Sequence, residues 1–354
     1  MKTVADMSSG RDNHFNLIRL IAAGAVLVSH SYPLTFGMGS AEPLEAWTGH
    51  SLGTSAVYVF FGISGYMITR SFERRRDIWS FGAARIARIF PGLLVALLLT
   101  ALVLGPIATR LPMLAYFGDP LFWSYIPSNV SLRFLQYDLP GVFEDNIYPK
   151  AINGSLWTLF WEVACYTLVV VLGCLGGMKE RRFFVFLVFY IALVMAMCIT
   201  SPNTTWVNLS VPFVTGMAIY VYRGRVPTGL FVLVLVTLVA LLARDTIFWD
   251  VIYGTALAYA ALLLGHVQAP ALLAFNRLGD YSYGTYIYAF PVQQVFAWLA
   301  PGVPVIGMIW LTLPITVVLA VISWHFVEAP ALERREKLAE SFRRWLYVAS
   351  KKIA

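Results

Sequence analysis

The stretch Asn16 to His30, NLIRLIAAGAVLVSH, reads as a segment made for a lipid bilayer, yet it carries a permanent cation near one end and an imidazole at the other. With its flanks it forms an apolar run over about 14–35, and crossing a hydrocarbon core about 30 Å thick takes roughly 20 such residues. Similar runs recur over about 51–71, 89–109, 154–174, 183–200, 206–222, 228–243, 246–265, 281–300 and 304–326. A chain that is 59% hydrophobic and 13% charged, with mean hydropathy +0.70, falls outside the soluble globular class. The expectation is an all-α integral membrane protein, a bundle of about ten transmembrane helices.

Residues 1–330 are expected to form a single transmembrane domain and 331–354 a basic amphipathic tail. No repeat period, low-complexity linker or separate soluble domain interrupts this plan. The start carries Asp6, Arg11 and Asp12, and no small-residue cleavage site follows the first run, so that run is expected to stay in the protein. Cys165, Cys174 and Cys198 sit in or at the edge of runs without metal-ligand spacing and are expected to be small core residues, with no metal site.

Basic residues set the orientation. With both termini in the cytoplasm, all of the 26 Lys and Arg except Arg110, Arg133, Lys150 and Arg244 fall in inner segments. The net charge of +7 and pI near 9.3 then reflect topology and give no reason to invoke nucleic acid. Outer segments are acidic, with Glu42, Glu45, Asp119, Asp138, Glu144, Asp145, Asp245 and Asp250. The long outer loop, 110–153, mixes aromatics with polar groups. That composition suits a sugar; it equally suits a cap of Trp and Tyr at headgroup level. In the tail, Leu332, Leu338, Phe342, Trp345 and Leu346 lie among Arg and Lys, the pattern of a helix resting on an anionic inner surface.

Ionisable groups inside spans cost free energy and mark candidate sites. Arg19 and His30 are eleven residues apart, about three turns plus 20°, so they share one helix face some 16 Å apart. Arg19 on its own could snorkel to the inner surface. An imidazole can take and return a proton near neutral pH, and the alternative for His30 is a structural hydrogen bond to a carbonyl. Glu162, eight residues into a span that starts on the outer side, comes towards the depth of His30, where a carboxylate would orient the ring; its alternative is a structural pair. Arg70, Arg74, Arg75, Arg76, Arg85 and Arg88 follow the second run. All are Arg, the side chain suited to bidentate phosphate binding, and Arg85 and Arg88 share a helix face, so this segment is read as the site of a phosphorylated cytoplasmic ligand. Ser64 and Gly65 do not form a nucleophile elbow because Tyr66 stands where its last Gly would be; close helix packing at Gly62 and Gly65 is expected instead.

These features together resemble the acyltransferase-3 family of membrane acyltransferases over nearly the whole chain. The resemblance rests on Arg19 and His30; on Phe60, Phe61, Ser64 and Gly65; on Arg85 and Arg88 before IFP; on SLWTLFWE ending at Glu162; on LGDYSYGTYIYAFPV with Gly279, Ser282, Tyr283 and Tyr286; and on SWHFVEAP with Glu328 and Pro330. Members often carry a His after the SYxxYL segment, where this chain has Ala289. No appended extracytoplasmic SGNH hydrolase-like domain is expected.

The resemblance implies an O-acyltransferase of the bacterial inner membrane that moves an acyl group, acetyl above all, from cytoplasmic acyl-CoA to a hydroxyl of a cell-envelope or exported carbohydrate. It implies His30, Glu162 and Arg19 as catalytic residues, with His30 the general base. Arg74, Arg75, Arg85 and Arg88, with Ser64 and Tyr66, would hold the donor, acetyl-CoA. Ser155, Trp157 and Trp161 would meet the acceptor, a carbohydrate or lipid-linked glycan. Whether His30 is itself acylated, which acyl group and acceptor are used, and the oligomeric state stay open. The competing reading is a transporter or flippase of a lipid-linked sugar, against which no internal similarity between 1–175 and 176–354 is visible.

Overall fold

The computed structural model describes residues 2–7, 13–201, 204–267 and 269–353. Arg11, Asp12 and the side chain of Leu346 lie outside the described residues. Among those described, the chain is helical throughout, with isolated β-bridges only at Thr3–Pro227 and Thr109–Val142.

Each expected apolar run coincides with a helix. Six are long and apolar enough to cross a membrane: α1 (Phe15–Phe36), α2 (Leu52–Arg75), α3 (Ile78–Ala108), then, after the short outer helix α4 (Pro120–Val130), α5 (Trp157–Cys174), α6 (Glu180–Thr200), and later α11 (Val305–Glu333). Shorter apolar helices are α7 (Thr205–Val221), α8 (Leu230–Leu242) and α9 (Trp249–Gly265). Helix α10 (Ser282–Leu299) is the exception in character: most of its first thirteen residues, including Ser282, Thr285, Gln293 and Gln294, are buried. Helix α12 (Arg335–Ile353) ends the described chain. Phe184, Val185, Val188, Phe189 and Ile191 of α6 are exposed, as expected of side chains that meet lipid.

The chain divides into two compact units, and α1 contributes to both. The first contains Met1–Ala22, Leu44–Arg76 and Trp161–Asp280. Its centre is the packing of α2 on α7 and α9, which depends on missing side chains. A Cβ on Gly62 would lie 2.6 Å from that of Ala258, and Cβ atoms on Gly65 and Gly216 would collide with the backbone of Phe213 and Gly62. This close approach is the packing expected at Gly62 and Gly65, because small residues let helices meet where no hydrophobic difference from lipid draws them together. Phe15, buried to 1%, meets Tyr66 and His266. Ser51 caps α2 by accepting from the Thr54 amide, and Arg76 ends it in the left-handed region.

The second unit contains Ala23–Pro43, Asp77–Phe160 and Tyr281–Ala354. Asp77 caps α3, accepting from the Trp79 and Ser80 amides, so the Arg85–Arg88 segment is helical from its start. Helices α10 and α11 come close because Gly284 faces Ala320. Both α3 and α11 contain a π-helical turn, Thr100–Leu104 and Trp324–Glu328. The second places Glu328, wholly buried, against Arg88 at 3.0 Å, while the Ser323 hydroxyl donates to its other oxygen at 2.9 Å. Helix α12 docks on α3, with Arg343 bound to Asp77. Cys165 and Cys198 are buried as expected; Cys174, at the end of α5, is exposed.

Candidate active site

In the second unit, His30 stands on the wall of an open cavity of about 1040 Å³. Helix α1 is prepared for this locally. Pro33 removes the backbone donor that would pair with the Ser29 carbonyl, and the buried Gln293 of α10 donates to the Leu27 carbonyl and the Ser31 hydroxyl, each at 2.8 Å. The turn that carries His30 is therefore fixed from α10. The imidazole meets Phe290 edge-on, with centroids 5.2 Å apart, and its Nδ1 makes no hydrogen bond to the described residues. That nitrogen is itself buried, while the ring as a whole lines the cavity.

The opposite wall comes from the long outer loop. Phe134, Gln136, Tyr137, Asp138, Tyr148 and Lys150 line it, together with Trp157 at the start of α5 and Glu42 just beyond α1. Beyond α4 this loop has little regular structure and is held by side-chain amides instead. Asn146 donates to Gln294 Oε1 at 2.7 Å, Gln294 Nε2 donates to the carbonyls of Tyr148 and Ala151, and Asn153 donates to the Ile287 carbonyl. Buried amides that find partners on both sides fix a backbone that no ladder orders. The Tyr286 hydroxyl donates to the Ser155 carbonyl at 2.8 Å, and Ser155 is 1% exposed, so it sits behind the cavity wall. Burial raises the Tyr137 phenol above its ordinary value, helped by Tyr148, which keeps it a hydrogen-bond donor.

Of the residues expected at the site, His30 and Trp157 share this cavity, with Ser155 close behind Trp157 in the chain. Arg88 is taken up by Glu328 and lies over the rings of Tyr283 and Trp324 at 5.5 and 5.6 Å. Arg85 lies over Phe81.

The remaining expected residues belong to the first unit. Arg74 and Arg75, with Arg70, line a pocket of about 470 Å³ whose other walls are Asn13, Asn16, Met67, Ser71 and Asn276. Three guanidinium groups stand there among amides and a hydroxyl, a chemistry that phosphate oxygens complement. Arg19 pairs with Asp280 at 2.6 Å and lies over Phe60, an anchoring that its charge alone did not foretell. Glu162 accepts the hydroxyl of Tyr166, one turn further along α5. Ser64 is half-buried, and Tyr66 is wholly buried among Phe15, Tyr220 and His266, away from the lining of the arginine pocket. Trp161 is half-buried on α5. No group of three or more His, Cys, Asp and Glu that could hold a metal ion occurs among the described residues.

Sequence reading did not single out the roles of Glu42, Asp138, Lys150, Asn13, Asn16 or Asn276. The only available signal for the first three was their place on the outer side with aromatics; the three Asn gave none.

A family model described as an acyltransferase domain, acyltransferase type 3, matches residues 12–327. The chain belongs to the acyltransferase-3 family. Its relatives include an O-acetyl transferase of Shigella phage Sf6, 30% identical over 304 residues, which span 80% of this chain and 86% of that protein. Nodulation protein 10 of Rhizobium leguminosarum bv. viciae is 29% identical over 373 aligned residues, spanning 94% and 96%. No solved structure matches the chain. Family membership and the six long apolar helices make this acyltransferase a multi-pass integral membrane protein. The match takes in His30 and the arginine pocket and ends one residue before Glu328.

Proposed function

We propose that the chain is a membrane O-acyltransferase that moves an acetyl group from cytoplasmic acetyl-CoA to a hydroxyl of an exported or cell-envelope carbohydrate, with His30 as general base. The observation that carries this reading is the cavity of His30. It combines the imidazole of His30, aromatic faces at Tyr137, Tyr148 and Trp157, and carboxylates at Glu42 and Asp138. Aromatic rings cover the C–H faces of a sugar and carboxylates accept from its hydroxyls. The printed name of the phage relative supports O-acetyl transfer.

In the reaction, His30 takes the proton of the acceptor hydroxyl as its oxygen attacks the thioester carbonyl. The C–O bond forms, the C–S bond breaks, and the departing CoA thiolate receives the proton from the imidazolium. Arg70, Arg74 and Arg75 hold the donor's phosphates, and Arg85 is a further donor contact. Arg88 acts through Glu328 by fixing α3 against α11. The topology that suits this assignment has about ten spans in the bacterial inner membrane, both termini cytoplasmic, the long loop outside and α12 along the inner surface.

Purified protein in lipid nanodiscs is expected to bind acetyl-CoA and to transfer radiolabelled acetyl to unacylated surface glycan isolated from cells lacking the gene. His30→Ala is expected to bind the donor and transfer nothing. Full transfer by His30→Ala, or no acetyl-CoA binding by the wild type, overturns this reading.

A further inference from the structure

Glu42 is a carboxylate whose position relative to the base is unusually well determined. Helix α1 ends at Phe36, and the chain turns back through Gly37 and Gly39, at φ +97° and +84°, which L side chains rarely adopt. The return brings Glu42 to the side of α1, where Ser29 donates its hydroxyl to the carboxylate. Ser29 is wholly buried and immediately precedes His30. The carboxylate is therefore tied to the helical turn that holds the imidazole, and both groups line one cavity.

The other charged groups on that cavity, Asp138 and Lys150, belong to the loop opposite and have no such tie to α1. An ionised carboxylate only accepts hydrogen bonds, with about four acceptor positions on its two oxygens. A group that only accepts, beside a base that takes a hydroxyl proton, suits a ligand with a second hydroxyl next to the first.

We propose that Glu42 is an acceptor-binding residue: it accepts a hydrogen bond from the hydroxyl adjacent to the one that is acylated, so the acceptor presents a vicinal diol. Glu42 thereby selects which of the two hydroxyls reaches His30. This rests on the acyltransferase reading above.

The test uses full-length protein in nanodiscs, acetyl-CoA, and the unacylated glycan from cells lacking the gene. Glu42→Gln is expected to raise the acceptor KM about tenfold to a hundredfold, as for loss of a hydrogen bond to a charged group, while leaving the KM for acetyl-CoA unchanged. The acetyl groups that it still transfers are expected to spread over both hydroxyls of the pair, read by NMR of the product, where the wild type marks one. Glu42→Asp should recover part of the acceptor affinity and the single position. Wild-type acceptor KM and wild-type position in Glu42→Gln would overturn the proposal, as would an equal rise in the donor KM, which would mark a purely structural role. A product in which the wild type acylates a hydroxyl without a hydroxyl neighbour would overturn it too. Failure of the underlying reading has a separate signature, a wild-type protein that transfers no acetyl at all.

Discussion

The pocket of Arg70, Arg74 and Arg75 and the cavity of His30 and Trp157 differ in size, charge and the kind of backbone that makes them. The first, about 470 Å³, is lined largely by one end of α2 and by Asn13, Asn16 and Asn276, and among the described residues its lining is cationic without a carboxylate. The second, about 1040 Å³, takes most of its lining from an irregular loop and mixes aromatics, two carboxylates and one lysine. A helix end can present several like charges close together when a polyanion is their counterpart, because phosphate oxygens satisfy each guanidinium in turn. A neutral polyhydroxyl ligand needs alternating apolar faces and acceptors, which a helix repeat does not supply and a folded loop does. Under the proposed function, that difference assigns the first to the donor and the second to the acceptor.

Replacement of His30 tests that separation most severely. His30→Ala is expected to abolish transfer while leaving acetyl-CoA binding by calorimetry within about twofold of wild type, a change of under roughly 0.5 kcal/mol; a parallel loss of donor binding would merge the two sites. Next in size, Glu328→Ala removes the carboxylate that Arg88 meets in a buried setting and is expected to cost about 3–5 kcal/mol, read as a lower melting temperature in detergent. An unchanged melting temperature would remove the ion pair from the account of how α3 and α11 are held.

Arg74→Ala with Arg75→Ala is expected to weaken acetyl-CoA binding by about tenfold to a hundredfold and to leave the acceptor KM alone. Trp157→Ala should do the reverse, raising the acceptor KM by about tenfold through loss of an aromatic face of roughly 1 kcal/mol or more. Crossed results, with Trp157 moving the donor and the arginines moving the acceptor, would invert the assignment.

The smallest effect concerns Asp77, outside the spans. Its hydrogen bond to Ser80, reinforced by Arg343, holds the carboxyl below the usual carboxylate range. A depressed folded-state pKa stabilises above the unfolded value, and that stability is lost as pH falls through the folded value. Asp77→Asn is therefore expected to lower stability by about 1 kcal/mol or less at neutral pH, given its exposure, with the gap to wild type closing below about pH 4. A gap that persists in acid would mean that the charge contributes nothing and that the cap works as a neutral acceptor.

Every apolar run read from the sequence is a helix, because a segment that leaves water must satisfy its backbone internally whatever its neighbours are. His30 was legible for the same reason: a lone imidazole inside an apolar run is costly and stands out. Arg19 stood out equally but pairs with Asp280, and an ion pair between residues so far apart in the chain leaves no periodic trace. Arg85 and Arg88 looked alike at one helix spacing, yet Arg88 meets Glu328, which the π-helical turn of α11 brings round, and Arg85 lies over Phe81.

The sequence by itself determined the helices, the membrane, the family and the presence of a basic site and an imidazole, since all of these follow from local hydropathy, charge and short motifs. Only the tertiary structure decided which groups share a cavity. Glu42 reaches the His30 cavity through a turn made by Gly37 and Gly39 and a bond from Ser29, and the outer loop lines that cavity because Gln294 and Asn153 hold its backbone. Such contacts join residues with no common period, so they come into being only when the chain has folded.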